Sequence, residues 1–246
     1  MTPDPTAAAR FYATLLGWEV QDTSAEYGGY VIAQRKGAAA AGIGPLQQSD
    51  TPAAWTLYFA SDDVDATAHA ITAAGGSIVL PAGDVGPLGR MLLAADPSGA
   101  VFGVWQAGQH IGAGIVNEPG ALTWVDLRSQ DPDRARVFYT AVFGHGHATI
   151  PNAPPDYQTF ALPGDEAPLG GMGGMMGAPE GTPSHWLVYF GVADAEASAA
   201  VVDKEGGRVL VPPFLTDYGP MAPALDPQGA AFWLAQPTTP QPDRAG

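Results

Sequence analysis

The spacing of hydrophobic positions changes repeatedly along the chain, and each change predicts a change of secondary structure. Phe11, Leu15 and Leu16 fall on one face of a helix, because they recur about one helical turn apart. Around Trp55 and Tyr58 the pattern becomes that of a strand, and the odd spacing puts these two rings on opposite faces of a sheet. Short strands interleaved with helices predict an α+β chain.

Start and stop signals bound the first predicted helix. Asp4 and Pro5 suit the N-cap and the first helical turn, and Gly17 suits the helix end. The same signals predict helices at 5–16, 63–74, 133–143 and 194–205. The predicted strands are 18–20, 30–34, 38–43, 54–60, 77–80, 91–94, 101–106, 122–128, 145–150, 157–162, 168–173, 185–192, 208–211, 221–225 and 231–235.

The chain repeats itself at about half its length. The residues that recur at a constant offset of 127 (131 − 4 and 144 − 17) are Asp4, Pro5, Phe11, Tyr12 and Gly17, with the counterparts Asp131, Pro132, Phe138, Tyr139 and Gly144. Later anchors recur at 131 (186 − 55) for Trp55 and Trp186, and at 130 (226 − 96) for Asp96 and Asp226. A period this long predicts two copies of one module and not a solenoid.

Each copy contains the order βαβββ twice, which predicts four such units in two modules. The first module is predicted at 1–106, a linker at 107–120 and the second module at 121–236. The tail, 237–246, is rich in Pro and polar residues and is predicted to be disordered. The second copy opens with a strand at 122–127 that the first copy lacks, so we expect an open sheet edge or a borrowed strand there.

Composition narrows the range of functions. A net charge of −15 argues against binding to nucleic acid or to an anionic membrane, both of which require a basic surface. There is no cysteine, which excludes disulfides, thiolate metal sites and a cysteine nucleophile. The sequence has no signal-peptide pattern and no apolar run of about 18 residues. These features predict a cytoplasmic protein. We also expect a monomer, since the tandem copies supply the pairing that single modules obtain by dimerising.

Several of these features together resemble a known family. Four βαβββ units, an Asp-Pro-x-Gly-Ala turn before the last strand and Phe-Tyr on the first helix resemble the vicinal oxygen chelate superfamily, which includes glyoxalase I, extradiol dioxygenases and bleomycin-resistance proteins. Gly103–Gln106, His110–Ala113 and Val116–Glu118 are similar to an actinobacterial tandem subgroup known only as glyoxalase-like, which includes a mycobacterial culture-filtrate antigen. The resemblance implies two glyoxalase-like modules whose curved mixed sheets enclose clefts.

The resemblance also implies where a metal would be held. Metal enzymes of the family place a His on the first strand, a second ligand on the fifth strand, and a Glu four residues after the turn glycine. In the second copy these positions fall at Trp124, Leu187 and Trp233, and in the first copy the two that exist are Thr56 and Gly103. Neither set supplies the two His and one carboxylate that non-haem iron requires, and an indole has no lone pair to give. We therefore predict no metal and no other cofactor.

Two residues are candidates for acid–base chemistry. His185 shares a strand face with Leu187 and Tyr189 that is predicted to line the cleft, and an imidazole suits proton transfer near neutral pH. The alternative is a histidine at the strand end, bonded to backbone. Asp126 is the candidate carboxylate partner, and its alternative is an ion pair with Arg128 that satisfies both groups within the sheet.

Aromatic residues dominate the predicted ligand-binding set, as suits a flat organic ligand. Arg128 and Leu187 complete this set on the same strand faces. Arg90 either binds an anionic ligand group or pairs with a surface acid. The aromatic residues predicted on the concave face are Tyr58, Trp105, Trp124, Tyr189 and Trp233.

Two short motifs leave alternatives open. His145 and His147 share one strand face, as either a metal pair or part of a solvated strand. The run Gly170–Gly177 lacks the spacing of a nucleotide loop and lies on a strand, so we expect a close backbone approach there.

These observations favour a metal-free binding protein for a small, planar or aromatic organic metabolite. The alternative is a metal-independent lyase, isomerase or cyclase that uses His185 and Asp126. A metal-dependent glyoxalase or dioxygenase is the third possibility, so whether the protein is an enzyme stays open at this point.

Overall fold

The structure is a computed structural model that describes residues 1–20, 28–46, 51–165 and 167–237. Its helices are α1 Pro5–Leu16, α2 Val64–Ala73, α3 Pro132–Phe143 and α4 Ala195–Lys204. Its strands are β1 Glu19–Val20, β2 Val31–Arg35, β3 Ala38–Ile43, β4 Tyr58–Ala60, β5 Ser77–Asp84, β6 Gly89–Ala95, β7 Val101–Ala107, β8 Leu122–Arg128, β9 Gly146–Ala148, β10 Gln158–Ala161, β11 Gly170–Gly173, β12 His185–Gly191, β13 Arg208–Val209, β14 Phe214–Thr216, β15 Gly219–Leu225 and β16 Ala231–Ala235. The predicted α+β class is confirmed.

The ends of the repeated helices are set by local chemistry, as predicted. The Asp4 side chain accepts a hydrogen bond from the Ala7 amide at the start of α1, and Asp131 caps α3 in the same way. Gly17 and Gly144 close the two helices in the left-handed conformation, each with φ of 69°. The helix α1 begins at Pro5 as predicted, and α3 begins at Pro132, one residue before the predicted start, because proline suits the first helical position.

Several predicted strands are shorter than expected, and two elements were not predicted. Of the predicted strand 54–60, only Tyr58–Ala60 is a strand. The amide of Ala54 instead donates to the carbonyl of Met1 (3.1 Å). The unpredicted elements are β14 and a 3-10 turn at Gly86–Leu88, both of which lie beside hairpins whose geometry local sequence patterns do not reveal.

The chain folds into two compact units that do not follow the order of the repeat. Unit 1 comprises Met1–Trp55, Ala113–Trp124 and Val188–Gly246, and unit 2 comprises Thr56–Gly112 and Val125–Leu187. Unit 1 therefore joins the first and last βαβββ units, whereas unit 2 joins the two middle ones. The repeat boundaries predicted from the sequence are not the boundaries of the compact units.

Unit 1 packs two sheets with α1 and α4. The strands β1, β2 and β3 form an antiparallel sheet, and β13, β15 and β16 continue antiparallel pairing beside β12, which is parallel to β16. Its core is aromatic: Phe11, Tyr12, Trp18, Phe190 and Phe232 are all buried.

Unit 2 has the same plan, with α2 and α3 over its sheets. One sheet has the order β4-β7-β6-β5, and the strands β8, β11, β10 and β9 are neighbours in the other. The core contains Phe59, Phe102, Phe138, Tyr139 and Phe160, all buried. The parallel pairs β4–β7 and β8–β11 place the carboxyl ends of neighbouring strands side by side.

The strand missing from the first copy is replaced over one residue pair. Thr2 forms a parallel bridge with Pro45, and its amide donates to the Gly44 carbonyl at 3.0 Å. The counterpart in unit 2 is longer, since β8 pairs with β11 over four residues. The first two residues thus occupy part of the edge that we expected to be open or borrowed.

A buried hydrogen-bond network explains the Phe-Tyr and Asp-Pro motifs in unit 1. The Tyr12 hydroxyl donates to Asp226 Oδ2 at 3.1 Å, and Trp55 Nε1 donates to the Tyr12 oxygen at 2.9 Å. Burial, together with the charge of Asp226, raises the pKa of Tyr12 well above its usual value. The network joins one residue from each of three βαβββ units.

The same network recurs in unit 2. The Tyr139 hydroxyl donates to Asp96 Oδ2 at 3.3 Å, and Trp186 Nε1 donates to the Tyr139 oxygen at 2.9 Å. Burial again raises the pKa of Tyr139 well above its usual value. Trp186 is buried as predicted, and the motif residues of one copy bind those of the other.

The C-terminal tail and the length of the helices bear on two further predictions from the sequence. The tail predicted to be disordered, 237–246, lies outside the described residues apart from Pro237. Among the helices in the described part of the chain, none has the length and apolarity needed to cross a membrane.

Candidate functional site

A polar cluster lies on β8 in unit 2. Arg128 Nη2 donates to Asp126 Oδ2 at 2.9 Å, and the Tyr157 hydroxyl donates to Asp126 Oδ1 at 2.8 Å. Asp126 is only 4% exposed. A buried carboxylate requires such donors, because burial without partners costs several kcal/mol. The predicted Asp126–Arg128 ion pair is therefore present, and Tyr157 is a third member.

The alternation of β8 and the glycines of β11 position this cluster. Val125 and Leu127 are buried, so Asp126 and Arg128 project to the other side of the strand. In the parallel β8–β11 ladder, Asp126 pairs with Gly171 and Arg128 with Gly173.

The Tyr157 ring lies across these two glycines. A Cβ at Gly171 would overlap the Tyr157 phenol, and one at Gly173 would lie 2.8 Å from the Tyr157 ring. The close backbone approach predicted for the Gly170–Gly177 run is confirmed.

Sequence reasoning missed Tyr157, although the repeat carried a signal for it. Tyr30 precedes Tyr157 by 127 residues, the offset of the first helix (157 − 30). In unit 1 the Tyr30 ring lies over Gly42 and Gly44 in the same way. Burial raises the pKa of Tyr30. The sequence signal was therefore a tyrosine that recurs at the repeat offset and is followed, in each copy, by two glycines two residues apart.

His185 is placed at the start of β12 with a backbone partner. Its Nδ1 lies 2.8 Å from the carbonyl oxygen of Pro183, whereas the Asp126 carboxylate is engaged by Arg128 and Tyr157. Both His185 and Asp126 belong to unit 2. The strand-end alternative for His185 matches this contact, and its pairing with Asp126 in catalysis stays a prediction.

The position that the family gives to a glutamate is covered by a tyrosine in both units. In unit 2, Tyr58 pairs in register with Gly103, and a Cβ at Gly103 would overlap the Tyr58 ring. In unit 1, Tyr189 pairs in register with Trp233 and stacks on it, with ring centroids 5.2 Å apart and planes 24° apart. Within the described residues, no group of three His, Cys, Asp or Glu side chains could hold a metal ion.

The stacked pair in unit 1 extends to a third ring at the sheet edge. Phe214 on β14 meets Trp233 edge to face, with centroids 6.2 Å apart and planes at 78°. Tyr189 is buried and Trp233 is half-buried, whereas Phe214 is 40% exposed. These rings form a graded aromatic surface that begins in the core and ends in solvent. We call Tyr189, Trp233 and Phe214 the aromatic face.

The remaining predicted ligand residues are divided between the units. Trp124 belongs to unit 1 and Leu187 to unit 2, and both are half-buried. Arg90 in unit 2 binds Asp65 at 2.6 Å and Asp84 at 3.0 Å, which matches the alternative of a surface ion pair. Their roles as ligand contacts stay predictions.

Trp105 borders a cavity of about 290 Å³ in unit 2, which Ser61 and Ile111 also line. Its Nε1 donates to the His110 carbonyl at 2.8 Å, so the indole is held in place. Burial lowers the pKa of the His110 imidazole. The cavity is open to solvent and carries no convergent charged groups beyond Asp62 among its lining residues.

His145 is not part of a solvated strand, contrary to that alternative, whereas His147 is half-buried on β9, between the exposed Gly146 and Ala148. His145 is 2% exposed, and its ring stacks on Phe160 with centroids 4.9 Å apart. Burial, with a smaller contribution from the charge of His147, lowers the pKa of His145 to about 4. Burial also lowers the pKa of His147. His145 stands where the first copy has Trp18 (145 − 127), so the position belongs to an aromatic core.

Family profiles match both copies. Residues 1–105 match a glyoxalase-like domain, and residues 121–234 match the glyoxalase/bleomycin resistance protein/dioxygenase superfamily. Both matches follow the repeat and not the compact units.

Individual proteins match over nearly the full length. The chain is 40% identical to the "Putative glyoxylase CFP32" of Mycobacterium tuberculosis, across 98% of this chain and 93% of that protein. It is 34% identical to the anthracycline biosynthesis protein DnrV of Streptomyces peucetius, across 100% and 94%. Among solved structures, the Mn(II)-bound glyoxalase from Novosphingobium aromaticivorans matches with a TM-score of 0.64 and 15% identity, covering 98% of this chain and 82% of that one. At that identity, the last match shows the fold alone.

Proposed function

Because the chain belongs to the glyoxalase/bleomycin resistance protein/dioxygenase superfamily, we propose that it binds a small planar aromatic metabolite on the aromatic face of unit 1, without a metal. The membership confirms the resemblance drawn from the βαβββ repeat. It does not fix the function, because one fold hosts many activities.

One observation carries the proposal: an aromatic stack occupies the position at which the family's metal enzymes have a carboxylate. Trp233 stands at that position, and Tyr189 stacks on it. Trp233 cannot replace the carboxylate as a metal ligand, since an indole has only its N–H to offer. The family metal therefore does not fit these residues. Stacked rings with an exposed member favour a flat ligand, which adds a further layer to the stack.

The relatives support a polycyclic ligand. DnrV is named as an anthracycline biosynthesis protein, and it aligns with the whole of this chain at 34% identity. Anthracyclines are built on a fused planar ring system, which is the shape that the aromatic face suits. An uncharged ring system is favoured over an anionic one, because the net charge of −15 repels anions.

The test is a fluorescence titration of the full chain with an uncharged anthracycline aglycone. We expect quenching of tryptophan emission on binding, and a roughly fivefold loss of affinity in Phe214→Ala, since a stacking contact contributes about 1 kcal/mol. The matched control is Leu215→Ala, which truncates the neighbouring residue, 79% exposed. Equal affinities of Phe214→Ala, Leu215→Ala and the unsubstituted chain would contradict the proposed site.

Independence from metal is tested separately. We expect the affinity for the aglycone to be unchanged after dialysis against EDTA, and elemental analysis of protein grown with iron, zinc, nickel and manganese to give no stoichiometric metal. Loss of binding in EDTA, with recovery on adding Mn²⁺, would instead favour a metal-dependent member of the family.

A further inference from the structure

We propose that unit 2 carries a second ligand site, in which Arg128 donates to the carbonyl oxygen of an uncharged small molecule that displaces Met176. This site lies in a different unit from the aromatic face. It therefore does not depend on the function proposed above.

The Arg128 guanidinium is largely buried and is held in place by its neighbours. Its side chain is 12% exposed, and its Nη2 is held by Asp126. Its Nη1 points at the thioether sulfur of Met176. The Tyr157 ring lies on one side, with its centroid 6.0 Å from the Arg128 Cζ. A fixed, largely desolvated cation therefore presents one of its nitrogens to a methionine.

The hydrogen bond from Arg128 to the Met176 sulfur is weak. A thioether sulfur is a weak acceptor, whereas a guanidinium is a charged and strong donor. A carbonyl oxygen in place of the sulfur makes a stronger hydrogen bond. Exchange of the sulfur for a ligand carbonyl is therefore favourable wherever Met176 can move.

The Met176 side chain lies at a position from which it can move. Met176 is 52% exposed and has φ of 45°, in the left-handed region that costs a non-glycine residue about 1 kcal/mol. Gly177 follows Met176 and Gly174 lies two residues before it, and a methionine side chain has three rotatable bonds. The segment thus covers Arg128 without packing into the core.

The charges already present at Arg128 favour an uncharged ligand. Asp126 already neutralises Arg128 within a site where both side chains are nearly buried. A carboxylate ligand would bring a second, uncompensated negative charge into this site, at a high cost in desolvation. An uncharged ketone or quinone provides the acceptor without that cost, and the Tyr157 ring offers a flat wall for its rings.

The experiment compares three probes on the full chain: 9-fluorenone, fluorene, which has the same rings without the oxygen, and fluorenone-4-carboxylate. Binding is followed by calorimetry and by the side-chain NMR signals of the arginines. We expect fluorenone to bind at least tenfold more tightly than either of the other probes. We also expect it to shift the Arg128 signal.

Variants separate this site from the aromatic face. Met176→Ala removes the competing sulfur at an exposed position, and we expect a severalfold gain in fluorenone affinity. Arg128→Lys keeps the charge but loses the planar fork, and we expect at least a tenfold loss. The series is measured in the Phe214→Ala background, which weakens the aromatic face, and Val137→Ala, at a 71% exposed position of α3, is the control that leaves fluorenone binding unchanged.

Three results would overturn the proposal. They are equal affinities for fluorenone and fluorene, no fluorenone binding at millimolar concentration, and unchanged or weaker binding in Met176→Ala. Should Arg128→Lys fail to fold, the probe series and Met176→Ala decide the matter. Failure of aglycone binding at the aromatic face would leave all of these readouts intact.

Discussion

At the scale of single residues, one substitution between the repeats changes how the protein responds to acid. Trp18 in unit 1 donates its Nε1–H to the carbonyl of Gly120 at 2.6 Å. His145 replaces it in unit 2, and within the described residues both of its ring nitrogens lack a hydrogen-bond partner. A neutral imidazole tolerates the aromatic surroundings, whereas an imidazolium there is strongly disfavoured.

We predict that His145 destabilises the fold at low pH. Its pKa falls from 6.5 in the unfolded chain to about 4 in the folded one, so the unfolded state binds the proton first. Titration of His145 therefore costs no stability above about pH 6.5. It lowers the free energy of unfolding by about 3 kcal/mol as the pH drops to about 4. Urea denaturation at pH 7 and pH 4.5 measures this loss.

The variant His145→Phe isolates this contribution. We expect it to lose about 2–3 kcal/mol less stability between the two pH values than the unsubstituted chain does. The control His69→Gln changes a residue on the surface of α2 and should follow the unsubstituted chain. An identical pH dependence in His145→Phe would refute the assignment.

At the scale of elements, the glycines of β11 are required by what lies across them. A Cβ at Gly171 would overlap the Tyr157 phenol and lie 2.6 Å from Asp126 Oδ1. Gly146 on β9 is different, since a Cβ there meets nothing within 4 Å. The two strands belong to the same unit, so they offer a matched comparison.

We predict that Gly171→Ala lowers the free energy of unfolding by about 1–3 kcal/mol, because the Tyr157 ring must leave Asp126 to make room. Gly146→Ala should be neutral within about 0.5 kcal/mol. Thermal and urea unfolding followed by circular dichroism measure both. A neutral Gly171→Ala would show that the Tyr157–Asp126 contact contributes nothing to stability.

At the scale of the whole molecule, each compact unit contains residues from both copies of the repeat, and hydrogen bonds join the two copies within each unit. Tyr12 of the first copy donates to Asp226 of the second, and Tyr139 of the second donates to Asp96 of the first. Each of these carboxylates is buried. Removing one copy would leave a buried network without its partners in both units.

We predict that the fragments 1–112 and 113–246 do not fold separately but regain structure when mixed or coexpressed. The reason is that each unit takes a βαβββ unit from either side of the cut. Cooperative thermal unfolding and co-purification through a tag on one fragment are the readouts. A cooperative transition in either fragment alone would show that each repeat is self-sufficient.

The candidate sites were only partly predictable. The strand faces of Asp126, Arg128, Tyr189 and Trp233 could be predicted, because the alternation of a strand tells which residues share a face, and their roles toward a ligand stay predictions. Tyr157 was missed because it precedes β10 and reaches Asp126 across 31 residues, through a gap that only the glycines of β11 leave open. His145 was open between two interpretations because burial depends on what packs over a strand and not on the strand itself.

The sequence by itself determined the repeat, the α+β class and the helix ends, since caps such as Asp4 and Gly17 act on the next few residues. Only the tertiary structure decided which βαβββ units share a core. The four units are similar enough that local patterns favour no particular pairing. The choice depends on contacts between distant residues, such as Trp55 with Tyr12 and Trp186 with Tyr139, and those contacts exist only once the chain has folded.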